Sequence, residues 1–229
     1  MRDKRAAALG LAAGLVGWSL VAPRLPSRWH PGPQAAVATG LAVLSRTQLG
    51  LRPPQVWHGL RLGAATAAAV SAGIAATTAL PRARQELNER DAPAGVLRWL
   101  LLGIPVGTVW SEEVAYRGVL GAVAADAFGP RAARLLQSAA FGLSHIADAR
   151  GTEMPVVPTV LVTGAAGWLF AWLHDRAGSL LAPMLAHLAV NEAGAVAALG
   201  VQRATSPREQ TQKAPKTREI GAPCVCSAE

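Results

Sequence analysis

A pair of adjacent glutamates begins the segment Glu112-Glu113-Val114-Ala115-Tyr116-Arg117-Gly118, which follows an apolar stretch. On a helix, Glu113 and Arg117 lie four residues apart and face each other, so they can form an ion pair. Glu112 is rotated by about 100° and has no such partner. A carboxylate without an ionic partner in a low-dielectric setting binds a proton more readily, which suits a general base. The alternative for this segment is a charge cluster at a membrane surface.

Two further polar groups have helical spacing within apolar stretches. Phe141 and His145 share a helix face, and Asp148 follows at a distance that allows it to orient the imidazole. His187 and Asn191 also lie four residues apart, and both side chains can donate hydrogen bonds from one face. The simpler interpretations are a buried histidine with satisfied hydrogen bonds at 145, and a polar contact between helices at 187 and 191.

Ionisable groups within membrane helices are costly, so each one is a candidate functional residue. The carboxylate of Glu112, the imidazoles of His145 and His187, and the amide of Asn191 lie on three different apolar segments. A bundle that buries all four groups does so best by bringing them together. The sequence therefore predicts a polar pocket that binds water. The group His174-Asp175-Arg176 is instead predicted to form a solvated turn between two spans.

The elements that must position these residues are membrane helices. Hydrophobic residues make up 51% of the 229 residues and charged residues 16%, against about 25% charged in an ordinary soluble chain. Three runs of 17 to 20 residues contain no acidic or basic residue, at 6–22, 62–80 and 154–173. A bilayer core requires about 20 apolar residues. We therefore expect an all-α polytopic transmembrane bundle of about eight helices. The predicted spans are 6–22, 34–51, 58–80, 93–111, 113–127, 131–147, 155–173 and 179–200.

Composition divides the chain into three parts. Residues 1–92 contain N-terminal membrane helices and end in a charged segment, 81–93, which is predicted to be a surface loop or a short interfacial helix. Residues 93–202 carry the candidate functional residues described above and form the predicted functional part of the chain. Residues 203–229 are polar and lack periodicity, which predicts a disordered tail. The many small residues of 62–80 predict that this helix packs inside the bundle.

Charge and cysteine content narrow the functional classes. The net charge of +8 comes from basic residues that are spread over short connections. Nucleic acid is therefore not expected as a partner, whereas the lipid bilayer is expected. Both cysteines, Cys224 and Cys226, lie in the tail, which excludes a disulfide scaffold and a catalytic cysteine in the apolar body. A basic N-terminus and an even number of spans predict that both termini are cytoplasmic. The oligomeric state stays open.

Three motifs in this order resemble those of the CPBP family, the intramembrane glutamic endopeptidases that include CAAX proteases and bacteriocin-processing proteins. The motifs are Glu-Glu-x-x-x-Arg, Phe-x-x-x-His and His-x-x-x-Asn, found here at Glu112–Arg117, Phe141–His145 and His187–Asn191. Each motif alone is weak, whereas three in order on apolar segments are specific. The resemblance covers residues 95–200.

The resemblance implies a role for each matched residue. Glu112 and His145 activate a water molecule, His187 and Asn191 form an oxyanion hole, and Glu113, Arg117 and Phe141 support them. It also implies a membrane-anchored protein or peptide as substrate and no cofactor.

Three alternatives stay open. A zinc metalloprotease could use one carboxylate and two imidazoles as ligands, although no His-Glu-x-x-His sequence occurs. The chain could also be a non-catalytic membrane scaffold or a bacteriocin self-immunity protein with the same fold. A transporter ranks third, because no repeated halves are evident. A serine protease is not expected, because Ser144 is adjacent to His145 and helix geometry directs the two side chains apart.

Overall fold

The computed structural model describes residues 2–24, 31–89 and 95–212, and over these residues the fold is all-helical. The predicted all-α class is thus confirmed. The described residues form eight helices of at least eight residues and one of six residues. In chain order the helices are α1 (Arg2–Val21), α2 (Gly32–Leu44), α3 (Gln55–Thr77), α4 (Pro81–Asn88), α5 (96–128), α6 (Pro130–Ser144), α7 (Ile146–Gly151), α8 (Val156–Ala177) and α9 (Leu181–Gln212).

Helix α5 is continuous, although two separate spans were predicted at 93–111 and 113–127. It begins and ends with α-helical turns and has π-helical turns at Trp99–Trp110 and Glu113–Leu120. In π-helical turns the main chain bonds from residue i to residue i+5, and such turns are frequent at functional sites. The helix does not break at the two glutamates because Glu113 finds charged partners inside the bundle. The predicted division at residue 112 is therefore wrong.

Two contacts between helices mark the two ends of the bundle. At one end, which we call the Lys4 end, Lys4 Nζ lies 2.8 Å from Asp126 Oδ2 near the end of α5. At the other, the Thr205 end, Thr205 Oγ1 lies 2.6 Å from Asn88 Oδ1 of α4. The start of α1 and the end of α9 thus lie at opposite ends.

A single continuous α5 replaces two of the predicted spans among the described helices. The prediction that both termini lie on one side of the membrane stays a prediction.

Helix α3 packs through one face only, whereas a helix inside the bundle was predicted. Gly59 and Gly63 lie against α9 and its preceding turn, and a Cβ atom at Gly63 would lie 2.9 Å from Ala182 Cα. Only 11% of the apolar window of α3 is buried. Its small residues therefore permit one close helix contact, and most of its apolar surface is left for lipid.

Three helices are long and apolar enough to cross a membrane: Gln55–Thr77, Val156–Ala177 and Leu181–Thr205. They confirm the membrane interpretation. The charged segment 81–93 contains the exposed helix α4, with Arg82 Nε 3.3 Å from Glu86 Oε1, and its residues 90–93 lie outside the described part.

The first ten residues of the predicted disordered tail are helical. Helix α9 continues to Gln212, so residues 203–212 are helical. Contacts with α4 hold this extension, since the Gln202 amide donates to the Leu87 carbonyl (3.2 Å) and Thr205 bonds to Asn88. Residues 213–229, with both cysteines, lie outside the described residues.

Candidate active site

The Glu113 carboxylate joins two helices at the centre of the bundle. Its Oε1 atom lies 3.2 Å from Arg117 Nη1, one turn further along α5, and 2.7 Å from His187 Nδ1 on α9. The Glu113 and Arg117 side chains are 0% and 1% exposed. The predicted pairing of Glu113 with Arg117 is confirmed, and the bond from His187 to Glu113 was not predicted.

The hydrogen bond to Glu113 determines which nitrogen of the His187 ring faces the rest of the site. A carboxylate in an ion pair with arginine can only accept a hydrogen bond, so we assign His187 Nδ1 as the donor to Glu113. The ring therefore carries a proton on Nδ1, and Nε2 points to the other side. On that side lies Glu112, whose Oε2 atom is 3.8 Å from His187 Nε2.

The two adjacent glutamates have different environments, as their rotation on the helix predicted. The Glu112 side chain is 28% exposed, whereas that of Glu113 is fully buried. A separation of 3.8 Å is too long for a hydrogen bond, so Glu112 and His187 face each other without being bonded. Both His187 and His145 lie within electrostatic reach of the Glu112 carboxylate. Glu112 is thus the less constrained carboxylate of the site.

Aromatic rings enclose the buried charges. The Arg117 guanidinium lies over the Phe141 ring, with 4.0 Å from Cζ to the ring centroid, and over the Phe170 ring at 5.1 Å. Phe170 also stacks on His187, with centroids 4.9 Å apart and ring planes at 23°. The position of Phe141 beside the charged groups supports its predicted place in the site. Phe170 was not predicted, because it lies in an uninterrupted apolar run that gives no signal of a special role.

His145 lies at the end of α6, and its ring contacts Phe141 with centroids 4.7 Å apart, so the predicted shared face is confirmed. Its Nδ1 atom lies 2.8 Å from the main-chain oxygen of Phe141, which can only accept. The Phe141 carbonyl therefore orients the imidazole, a role that the sequence suggested for Asp148. Burial raises the pKa of the Asp148 carboxyl, and the nearby His145 opposes that rise.

Ser144 does not point away from His145 as predicted. Its Oγ lies 3.4 Å from His145 Nδ1, and the hydroxyl donates to the Phe141 carbonyl at 2.8 Å. The reason is that the helix ends at this point, so His145 has left helical geometry and both side chains turn back to one carbonyl.

Asn191 lies one turn beyond His187 on α9. Its Nδ2 atom donates to the main-chain oxygen of His187 at 3.2 Å. This hydrogen bond holds the amide against its own helix rather than against Glu112 or His145. The structure thus brings Glu112, Glu113, Arg117, Phe141 and His187 into one cluster, with His145 beside it and Asn191 one helical turn away.

The group His174-Asp175-Arg176 is not a solvated turn. Helix α8 continues through it to Ala177, and the residue after the helix is Gly178, which has a φ of +64°. Asp175 pairs with Arg134 of α6 at 2.7 Å, and the half-buried His174 lies within electrostatic reach of Glu113 and Arg117. The group therefore joins α8 to α6 near the site.

The described residues thus form a helical membrane protein whose buried site combines two glutamates, an arginine and two histidines. Residues 94–193 match the model of the family described as type II CAAX prenyl endopeptidase Rce1-like. This match supports the resemblance to CAAX proteases that the three motifs indicated, and such a family implies an intramembrane protease. Comparisons with curated proteins and with solved structures gave no match.

Proposed function

We propose that the chain is a membrane-embedded endopeptidase that hydrolyses a peptide bond with a water molecule activated by Glu112 and His145. The observation that carries this proposal is the contrast between the two glutamates around His187. Glu113 is fully buried, and its Oε1 atom contacts both Arg117 and His187. The Glu112 side chain is 28% exposed, and its Oε2 atom lies 3.8 Å from His187 Nε2 without a hydrogen bond among the described residues. Glu112 is therefore the carboxylate available to take a proton from water.

His145 assists at the same water molecule. Because its Nδ1 donates to the Phe141 carbonyl, the neutral ring keeps its lone pair on Nε2. A ring nitrogen in this state can accept a proton from water or pass one to the leaving amine. The mechanism thus combines a carboxylate and an imidazole that lie on two different helices.

His187 and Asn191 supply the oxyanion hole in this proposal. When the His187 ring carries protons on both nitrogens, Nδ1–H is held by Glu113 and Nε2–H faces the Glu112 side. That state also balances the charges of Glu112, Glu113 and Arg117. The Asn191 amide has two hydrogens, of which one bonds to the His187 carbonyl and the other can donate to substrate. Loss of one oxyanion donor lowers kcat by about 10²–10³-fold in other enzymes.

We propose that hydrolysis requires no metal ion, with zinc as the alternative. Two observations support this: no group of three His, Cys, Asp or Glu side chains suited to a metal occurs among the described residues, and His187 Nδ1 is already bonded to Glu113. Cleavage should therefore persist after purification with a chelator. Stoichiometric zinc that is lost together with cleavage on His145→Ala would establish the zinc mechanism instead.

The substrate class in this proposal is a membrane-anchored protein or peptide, because the site lies among membrane helices. The test compares the new N- and C-termini of membrane proteins in cells that produce the wild type, Glu112→Gln or Glu86→Gln. Glu86 is the matched control, since its side chain is 64% exposed on α4. Termini that disappear only with Glu112→Gln would identify substrates. Identical termini in all three strains would contradict the protease proposal and favour a scaffold or self-immunity protein.

A further inference from the structure

We propose that Phe170 is a positioning residue that fixes the plane of the His187 ring. This inference rests on the proposed function, in which His187 Nε2 must point to the substrate side. No motif of the chain includes Phe170, which lies in the middle of the apolar helix α8 and is 3% exposed.

One hydrogen bond does not determine the orientation of an imidazole. The bond from His187 Nδ1 to Glu113 Oε1 fixes one atom, and the ring can still pivot around it. A pivot would move Nε2 away from Glu112, which lies only 3.8 Å from it. A second contact is needed to define the ring plane.

Phe170 supplies that contact. Its ring is nearly parallel to the His187 ring, at 23°, with centroids 4.9 Å apart. Phe141 approaches the imidazole in a different way, edge-on at 88° with centroids 6.0 Å apart. The His187 ring thus has Phe170 on its face, an edge contact with Phe141 and a carboxylate on Nδ1. These three contacts define both its position and its plane.

The same phenyl ring also couples His187 to Arg117. The Arg117 guanidinium lies 5.1 Å from the Phe170 centroid, so one phenyl ring contacts both the His187 imidazole and the Arg117 cation. Gly167, one turn earlier on α8, makes room for this arrangement: a Cβ atom there would lie 3.0 Å from Phe141 Cδ1 and 3.3 Å from Arg117 Nη2. Helix α8 therefore contributes a wall that orients both buried side chains.

The experiment separates a positioning role from simple packing. Phe170→Leu and Phe170→Met remove the ring and keep an apolar side chain of similar size, while Phe170→Tyr keeps the ring. Phe128→Leu is the matched control, because Phe128 also lies beneath an arginine, Arg5 at 5.7 Å, but at the Lys4 end of the bundle. The chain has five histidines, so histidine-selective NMR in detergent resolves them, and His187→Gln identifies the His187 signal.

We expect the ringless Phe170 variants to shift the His187 signal and to lower kcat by up to about 10²-fold, with KM little changed. Phe170→Tyr and Phe128→Leu should retain the His187 signal and the kcat of the wild type. An unmoved His187 signal, or a moved signal with unchanged kcat, would overturn the inference. If the wild type itself cleaves no substrate, the proposed function fails, whereas the ¹⁵N signals of the His187 ring, which depend mainly on its hydrogen bonds and little on a lost ring current, still report whether Phe170 orients the ring.

Discussion

Among the single residues of the site, Glu113 is the most constrained, because its carboxylate holds both Arg117 and His187 inside the bundle. Removal of one charge from a buried ion pair leaves the other uncompensated, which costs about 3–5 kcal/mol. Glu113→Gln and Arg117→Gln should therefore each lower the thermal stability in detergent. The double variant should lose less than the sum of the two, since each single change already breaks the pair. Additive losses would show that the two charges do not interact.

The sequence predicts contacts within one helix better than contacts between helices. Glu113 and Arg117 are four residues apart, so helical geometry alone places them together. The hydrogen bond from His187 to Glu113 spans 74 positions of the chain, and its formation depends on how α9 packs against α5. The contact of Phe170 with His187 depends in the same way on the packing of α8. The motifs indicated which residues gather, but not which atoms pair.

At the scale of elements, the contact between α6 and α8 determines whether Phe141, Phe170 and His145 meet. Gly142 makes this contact close, because a Cβ atom there would lie 2.6 Å from the Val160 carbonyl oxygen and 3.2 Å from Gly164 Cα. Gly142→Val should push the helices apart and lower the free energy of unfolding by roughly 1–3 kcal/mol or more. Thermal unfolding in detergent measures the effect.

Gly14→Val on α1 is the matched control for Gly142→Val, because a Cβ atom at Gly14 has no neighbour within 4 Å. It should leave the unfolding temperature almost unchanged. Equal losses of stability in the two variants would indicate a general effect of valine on these helices and contradict a special role of the contact between α6 and α8.

Element boundaries were predicted poorly where charge was taken as a helix end. Helix α8 was predicted to end at residue 173 and ends at Ala177, whereas the predicted start of α6 at residue 131 lies next to the observed Pro130. The charged residues Glu112, Glu113 and Asp175 all lie within helices, because each has a partner on a neighbouring turn or helix or, for Glu112, an imidazole nearby. Charge alone is therefore a weak signal of a helix end in this protein.

For the whole molecule, we expect the two ends of the described chain to lie on opposite sides of the membrane, because Lys4 and Thr205 lie at opposite ends of the bundle. Lys4→Cys and Ala204→Cys test this arrangement in a protein whose Cys224 and Cys226 are replaced by serine. Both positions are exposed. In sealed vesicles, a membrane-impermeant maleimide should label only one of the two variants, and both should react after detergent is added. Labelling of both from one side would restore the even number of spans.

Composition was sufficient to predict a helical membrane protein, because uncharged apolar runs of this length match the thickness of a bilayer core. It was not sufficient to count the passes, since a helix that carries a compensated glutamate pair at its centre looks like two helices in the sequence. It also could not tell which apolar faces meet lipid: α3 was predicted to lie inside the bundle and is mostly exposed.

In the proposed mechanism, Glu112 activates water while Glu113 supports the site through Arg117 and His187. The most direct measurement compares peptide cleavage by the wild type, Glu112→Gln and Glu113→Gln in proteoliposomes, together with their unfolding temperatures. Glu112→Gln should unfold like the wild type and cleave no substrate, because an amide cannot take a proton from water. Glu113→Gln should unfold at a lower temperature and lose activity in proportion to the folded fraction. Cleavage by Glu112→Gln, with no cleavage by a stably folded Glu113→Gln, would contradict this assignment of the two glutamates.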